Sequence, residues 1–212
     1  MNGSLRFALP KGRLLAHAVE LLRKTGIELT EDEAAPRKLT FSDRSERFLF
    51  VPLKPADIPV YVASGAIDAG IVGSDILREA ESDVYEPLDL RIGICRLVLA
   101  VPEGVTFDVR THPTIATKYP KTTERFFGAR NEHVHIIRLD GSVEIAPLLG
   151  LADAIVDLVE TGRTLRENKL AVADEVAAVS AKLIVNRTTM RLKSGSVQPL
   201  ISSLDRIVYA TT

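Results

Sequence analysis

The residues best suited to chemistry lie in one stretch, Asp153-Ala154-Ile155-Val156-Asp157-Leu158-Val159-Glu160-Thr161-Gly162-Arg163-Thr164-Leu165. Ile155, Val156, Leu158 and Val159 have the character of a buried strand, Gly162 permits a turn that a side chain would block, and Thr164 is placed to cap a short helix. A strand that turns straight into a helix start aims several N–H groups one way. Those donors, the hydroxyls of Thr161 and Thr164 and the charge of Arg163 suit a phosphate. Asp157 and Glu160 suit sugar hydroxyls or Mg2+-bound water. The same residues also fit a capped turn whose charges face solvent, a common arrangement after a strand in α/β proteins. A second turn, Pro10-Lys11-Gly12-Arg13, sets two cations at a helix start, which is unfavourable unless an anion offsets them. Its alternative is a solubilising charge pair. Neither stretch is a P-loop or a dinucleotide fingerprint, since neither Gly-x-x-x-x-Gly-Lys-Ser/Thr nor Gly-x-Gly-x-x-Gly occurs.

The chain that must position these residues has 212 amino acids, 46% of them hydrophobic, enough for one large domain or two lobes with packed cores. A net charge of -1 argues against a protein that coats nucleic acid, so any phosphate binding is local. The single cysteine, Cys95, forms no intrachain disulfide, and its apolar neighbours mark it as a buried strand residue. The four histidines show no metal-ligand spacing, and none is assigned to catalysis. With no signal-like N-terminus and no apolar run near the ~20 residues that cross a bilayer, a cytoplasmic location is expected.

Read in order, Leu5 to Leu9 predicts a strand, followed by a helix with Leu14, Leu15, Ala18, Val19 and Leu22 on its apolar face and Gly26 at its end. Arg37 to Phe41 and Arg47 to Pro52 predict a hairpin. Asp57 is expected to cap a helix to Ser64, Ala69 to Val72 to form a strand, and Gly73-Ser74-Asp75 to open another helix. This alternation predicts a mainly parallel sheet covered on both faces. A long strand from Ile92 to Val101 starts a second lobe containing strands at Thr114 to Thr117 and Val134 to Leu139, with the stretch Lys118 to Gly128 between them and a helix from Ser142 to Leu149. Leu170 to Val185 is expected to return the chain as extended structure, and helical spacing of Val197, Leu200, Ile201, Leu204, Ile207 and Val208 predicts a C-terminal helix on the first lobe. The lobes are expected at 1–91 with 180–212, and at 92–179. A weak internal echo accompanies them: Gly65, Asp68, Ala69, Ile71 and Val72 in one half, Gly150, Asp153, Ala154, Ile155 and Val156 in the other.

Taken together these stretches resemble the short form of ATP phosphoribosyltransferase. The most specific part runs from Gly141 through Leu165, and supporting matches are Leu9-Pro10-Lys11-Gly12-Arg13-Leu14, Arg37-Lys38-Leu39, Asp68-Ala69-Gly70-Ile71-Val72-Gly73 and Ala116-Thr117-Lys118-Tyr119-Pro120. The resemblance implies an α/β, two-lobed fold like a type II periplasmic binding protein, with the active site in the interlobe cleft. It implies Mg2+-dependent attack by adenine N1 of ATP on the anomeric carbon of phosphoribosyl pyrophosphate, the first step of histidine biosynthesis. Lys11, Arg13, Arg37 and Lys38 would face the diphosphate. Glu160, Thr161, Gly162, Arg163 and Thr164 would hold the 5′-phosphate, with Asp157 and Glu160 near the ribose. Lys118, Tyr119, Asp68 and Gly73 would lie on the ATP side, and Glu144 and Asp153 would brace the loop or touch ligand. No residue is assigned to the metal. The two lobes and the returning helix account for all 212 residues. The resemblance therefore implies a homodimer that gains histidine feedback from a separate subunit resembling histidyl-tRNA synthetase. Two other classes share the architecture. A binding protein for a small phosphate-bearing ligand would use the same cradle without chemistry, and a regulator's sensing domain would need a DNA-binding segment that is absent.

Overall fold

The computed structural model describes residues 4–30 and 39–210; Arg37 and Lys38, assigned above to the diphosphate, lie outside them. The chain divides into two compact units, Met1–Gly93 with Ser180–Thr212, and Ile94–Val179.

In the first unit, β1 (Leu5–Pro10), α1 (Leu14–Lys24), β2 (Phe41–Ser42), β3 (Phe48–Leu53), α2 (Ile58–Ala63), β4 (Ala69–Gly73), α3 (Ser74–Ala80) and β5 (Tyr85–Asp89) follow one another. The unit is completed by later segments, after the chain has built β6 (Cys95–Pro102), β7 (Thr114–Thr117), α4 (Pro120–Gly128), β8 (His135–Arg138), β9 (Ala154–Val159), α5 (Arg163–Glu167) and β10 (Leu170–Val179) of the second unit. Those segments are β11 (Ala181–Val185), α6 (Arg187–Leu192) and α7 (Ser194–Tyr209).

The first sheet has the order β2-β3-β1-β4-β11-β5. Side chains alternate across it as a strand requires. Phe7, Leu9, Ile71 and Leu183 pack on one face with Leu15 and Leu22 of α1 and Val197, Leu200 and Leu204 of α7. Ala8, Val72 and Ile184 pack on the other with Ile58 and Val62 of α2 and Leu77 of α3. Both faces are covered, as the sequence predicts, but the sheet is mixed rather than mainly parallel. Only β1 with β3 and β1 with β4 run parallel; β11 enters antiparallel between β4 and β5, and β2 pairs antiparallel with β3.

The second sheet, β10-β6-β9-β7-β8, is also mixed. β9 runs parallel to β7 and antiparallel to β6. The predicted helix from Ser142 to Leu149 does not form. Ser142 has a left-handed backbone with φ 51°, and only Val143–Ile145 winds as a single tight turn. Beyond it, Ala146 donates to Val143 O and Gly150 to Pro147 O, so the segment is a succession of turns. Pro147 itself has no N–H to continue a helix. The extended run from Leu170 to Val185 breaks at Ser180, and its two pieces join different sheets.

The sequence echo is a structural one. Gly65 and Gly150 both adopt positive φ, at 76° and 68°. Three residues on, Asp68 gives its N–H to Arg6 O and accepts the N–H of Arg6 on Oδ2, at 3.0 and 2.9 Å. Asp153 does the same with Thr114, at 2.8 and 2.8 Å. In each unit an aspartate at the head of one parallel strand grips the backbone of its neighbour.

Candidate functional site

The outgoing ends of the strands collect the polar turns of both units. In the second unit β7 and β9 are in parallel register, Thr117 opposite Val156, so Lys118 and the stretch 160–164 leave the sheet at the same edge. Asp157 lies on β9 next to that edge. Strand alternation puts it on the same face as Ile155 and Val159, the face covered by Val143, Ala146 and Leu165. Burial there pushes the Asp157 carboxyl above the ordinary aspartate value; the N–H of Leu158, donating to Oδ1 at 2.8 Å, opposes this, Glu144 raises it further and Lys118 lowers it. Glu144 and Lys118, 13 and 39 residues from Asp157 in sequence, therefore act on its charge. Tyr119 is 3% exposed, so its ring belongs to the interior and presents no face for a base to stack on.

After β9 the chain turns at Gly162, whose φ is 72°, a left-handed conformation that disfavours residues carrying Cβ. Gly162 itself, and not Thr164, occupies the position before α5, and no side chain caps that helix. Thr164 lies inside it. Among the described residues none accepts a hydrogen bond from the N–H of Gly162 or Thr164, and the N–H of Arg163 reaches Thr161 Oγ1 only at 3.5 Å. The turn thus offers donors in search of an acceptor. Arg163 does not add its charge to them. Its Nε is bonded to Glu167 Oε1 at 2.8 Å, one turn along the helix.

In the first unit, Lys11-Gly12-Arg13 leaves β1 and Gly73 leaves β4 at one sheet edge, because those strands are parallel. Gly12 has φ 86° and Lys11 and Arg13 are exposed. At Gly73 a Cβ would meet the carboxylate of Asp75, which would have to move aside. Asp68 and Asp153, grouped above with the site, stand elsewhere. Asp68 is 1% exposed, with Oδ2 held by Arg6 and Oδ1 by Thr189 Oγ1 and Lys193 Nζ at 3.0 and 2.9 Å. It ties α6 and α7 to the sheet at the incoming end of β4, about 17 Å along the strand from Gly73. Asp153 heads β9, about 23 Å of strand away from Glu160, too far to brace the loop. Their place before the predicted strands already put them at the incoming ends; the backbone each grips is set by strand pairing.

A donor-lined turn in one α/β unit and a cationic turn in the other lie at outgoing sheet edges, where the ligands of such folds bind. The fold is that of periplasmic binding proteins: the Escherichia coli periplasmic aliphatic sulphonate binding protein SsuA aligns with a TM-score of 0.62 at 14% identity, covering 96% of this chain and 72% of that one. Closer similarity narrows this further. The ATP phosphoribosyltransferase family pattern matches residues 54–206. An ATP phosphoribosyltransferase from Caldanaerobacter subterraneus subsp. tengcongensis is 46% identical over 201 residues, 95% of this chain and 96% of that protein. An ATP phosphoribosyl transferase (HisG:HisZ) complex from Thermotoga maritima supplies a solved chain with TM-score 0.83 and 35% identity, covering 96% of this chain and 98% of that one. This chain belongs to the ATP phosphoribosyltransferase family.

The Asp157 environment has a measurable consequence. A folded-state pKa raised above the unfolded value means that the ionised carboxylate costs the folded state stability. That cost is absent below the unfolded value, sets in as pH rises through the interval up to the raised pKa, and persists at neutral pH. Asp157→Asn is therefore expected to raise the melting temperature at pH 7. Calorimetric melting of both proteins across the acid-to-neutral range checks the sign.

Proposed function

We propose that this chain joins adenine N1 of ATP to C1 of phosphoribosyl pyrophosphate and releases pyrophosphate, the opening step of histidine biosynthesis. The observation that carries the reading is the Gly162 turn, where the N–H groups of Gly162 and Thr164 have no acceptor among the described residues and lie at the same sheet edge as Asp157 and Lys118. The 5′-phosphate binds the backbone of 161–164, and Asp157 with Glu160 receives the ribose hydroxyls. Lys118 lies toward the adenine nucleotide. Lys11, Arg13, Arg37 and Lys38 face the departing diphosphate.

Adenine N1 has a free lone pair at neutral pH, so the displacement needs no strong general base to begin. What it needs is charge stabilisation. The transition state is cationic at the ribose carbon, which the Asp157 and Glu160 carboxylates favour, and anionic at the pyrophosphate, which the lysines and arginines favour. Glu144 raises the Asp157 pKa and so adds to the negative side of the field there.

A Mg2+ ion would be held mainly by substrate phosphates and water, with Asp157 and Glu160 the carboxylates able to accept hydrogen bonds from its bound water. Such an ion would supply charge neutralisation at the departing diphosphate, beside the lysines and arginines.

Among the described residues no helix is long and apolar enough to cross a membrane, and we place the enzyme in the cytoplasm. A relative that this chain matches along 98% of its length comes from a HisG:HisZ complex. That likeness supports a regulatory partner subunit; on the family resemblance we read the chain as a catalytic subunit that dimerises within a hetero-oligomer, its partner resembling histidyl-tRNA synthetase and carrying histidine feedback. The purified chain is expected to keep its activity at histidine concentrations that inhibit the complex, with inhibition appearing on addition of the partner. Linkage requires the converse, that active-site ligands weaken histidine binding to the complex by the same factor. Steady-state assays with and without the partner check this.

A pyrophosphate-release assay tests the activity itself. Release that requires both ATP and phosphoribosyl pyrophosphate is the expected result. Binding of either without release points to the phosphate-ligand binding protein instead.

A further inference from the structure

We infer that Arg166 is a positioning residue for the phosphate loop, acting through the backbone carbonyl of Thr161. The inference rests on the reading that residues 160–164 hold the 5′-phosphate of phosphoribosyl pyrophosphate.

The loop carries two arginines, and the structure separates their tasks. Arg163 is drawn along the helix surface by Glu167. Arg166 turns the other way: its Nη1 donates to Thr161 O at 3.3 Å, and the same nitrogen lies 3.3 Å from where a Cβ on Gly162 would stand. The guanidinium thus closes the open side of the glycine. Its own backbone N–H donates to Gly162 O at 3.2 Å. Two residues on, Asn168 holds Thr164 O with Nδ2 at 2.9 Å and with its backbone N–H at 3.1 Å.

Peptide geometry turns these contacts into a statement about donors. In a planar trans peptide the C=O and the following N–H point in opposite directions. Holding Thr161 O against Arg166 therefore aims the N–H of Gly162 away from Arg166, and that is one of the N–H groups left without an acceptor among the described residues. Glycine's wide backbone freedom makes this peptide the one most able to rotate. Arg166 supplies the restraint that Gly162 lacks. It touches the loop from behind, through the carbonyl, and the phosphate is bound by the N–H on the other side.

The test uses the full chain and titration calorimetry with two probes, ribose 5-phosphate for the loop and pyrophosphate for the leaving-group side. Arg166→Ala is expected to weaken ribose 5-phosphate about three- to tenfold, the scale of one exposed charge-assisted hydrogen bond, and to leave pyrophosphate affinity unchanged. Arg166→Lys, which keeps a charged donor, should restore most of the loss. Equal weakening of both probes in Arg166→Ala marks general structural damage and overturns the assignment. Unchanged ribose 5-phosphate affinity in Arg166→Ala, with the affinity lost in Gly162→Val, removes Arg166 and leaves the loop assignment standing. Unchanged affinity in both variants overturns the loop assignment as well.

Discussion

Gly162→Val is expected to abolish binding of phosphoribosyl pyrophosphate while leaving a folded protein. The substitution puts a β-branched residue at φ 72°, where the left-handed conformation costs a residue with Cβ about 1–2 kcal/mol, more for a branched one. Space around the position does not forbid the side chain, since the nearest atoms to an added Cβ are Arg166 Nη1 at 3.3 Å and Val159 Cγ1 at 3.8 Å. The strain is instead relieved by turning the peptide, and the peptide carries the donors. Loss of two hydrogen bonds to a charged phosphate, at about 1.5–3 kcal/mol each, weakens binding by roughly 10² to 10⁴. The change is local to an exposed turn, so circular dichroism and the melting transition should stay close to those of the unaltered protein. An undiminished affinity in calorimetry would sink the assignment of this turn to the phosphate.

Arg37→Ala is expected to slow turnover about 100-fold, or about 3 kcal/mol, with a much smaller loss of ground-state affinity. Arg37 lies outside the described residues, so the prediction rests on the family resemblance and on reaction chemistry. Negative charge accumulates on the pyrophosphate as its bond to ribose breaks, and a cation facing it is needed most at that moment. A group used in this way lowers kcat when removed, whereas one that only helps substrate bind raises KM. Single-turnover kinetics at saturating substrates make the distinction, and an unchanged chemical rate takes Arg37 out of the mechanism.

Comparison of the arginines at 163 and 166 shows how far local reasoning reaches. Both are plain in the sequence, and proximity to Thr161-Gly162 favours Arg163. The helix decides otherwise, because Glu167 stands four residues after Arg163 and captures it, a contact within one helix face. That pair was available to a reading that followed the spacing one turn further. The placement of Arg166 was not, since it depends on the path of the turn at Gly162.

What the sequence by itself determined is the set of features that depend on a few neighbouring residues. The β9 strand, the left-handed turn at Gly162, the helix beginning at Ser74 and the amphipathic face of α7 are legible because alternation, glycine and helical spacing act within a turn or a strand. The tertiary structure alone decided which neighbouring strands Asp68 and Asp153 grip, which sheet each piece of Leu170 to Val185 joins, and that Glu144 and Lys118 lie near enough to Asp157 to act on its charge. Those outcomes depend on which strands pair and in which direction. Pairing joins residues such as Arg6 and Asp68 or Thr114 and Asp153, 62 and 39 positions apart, and no short-range pattern encodes the partner.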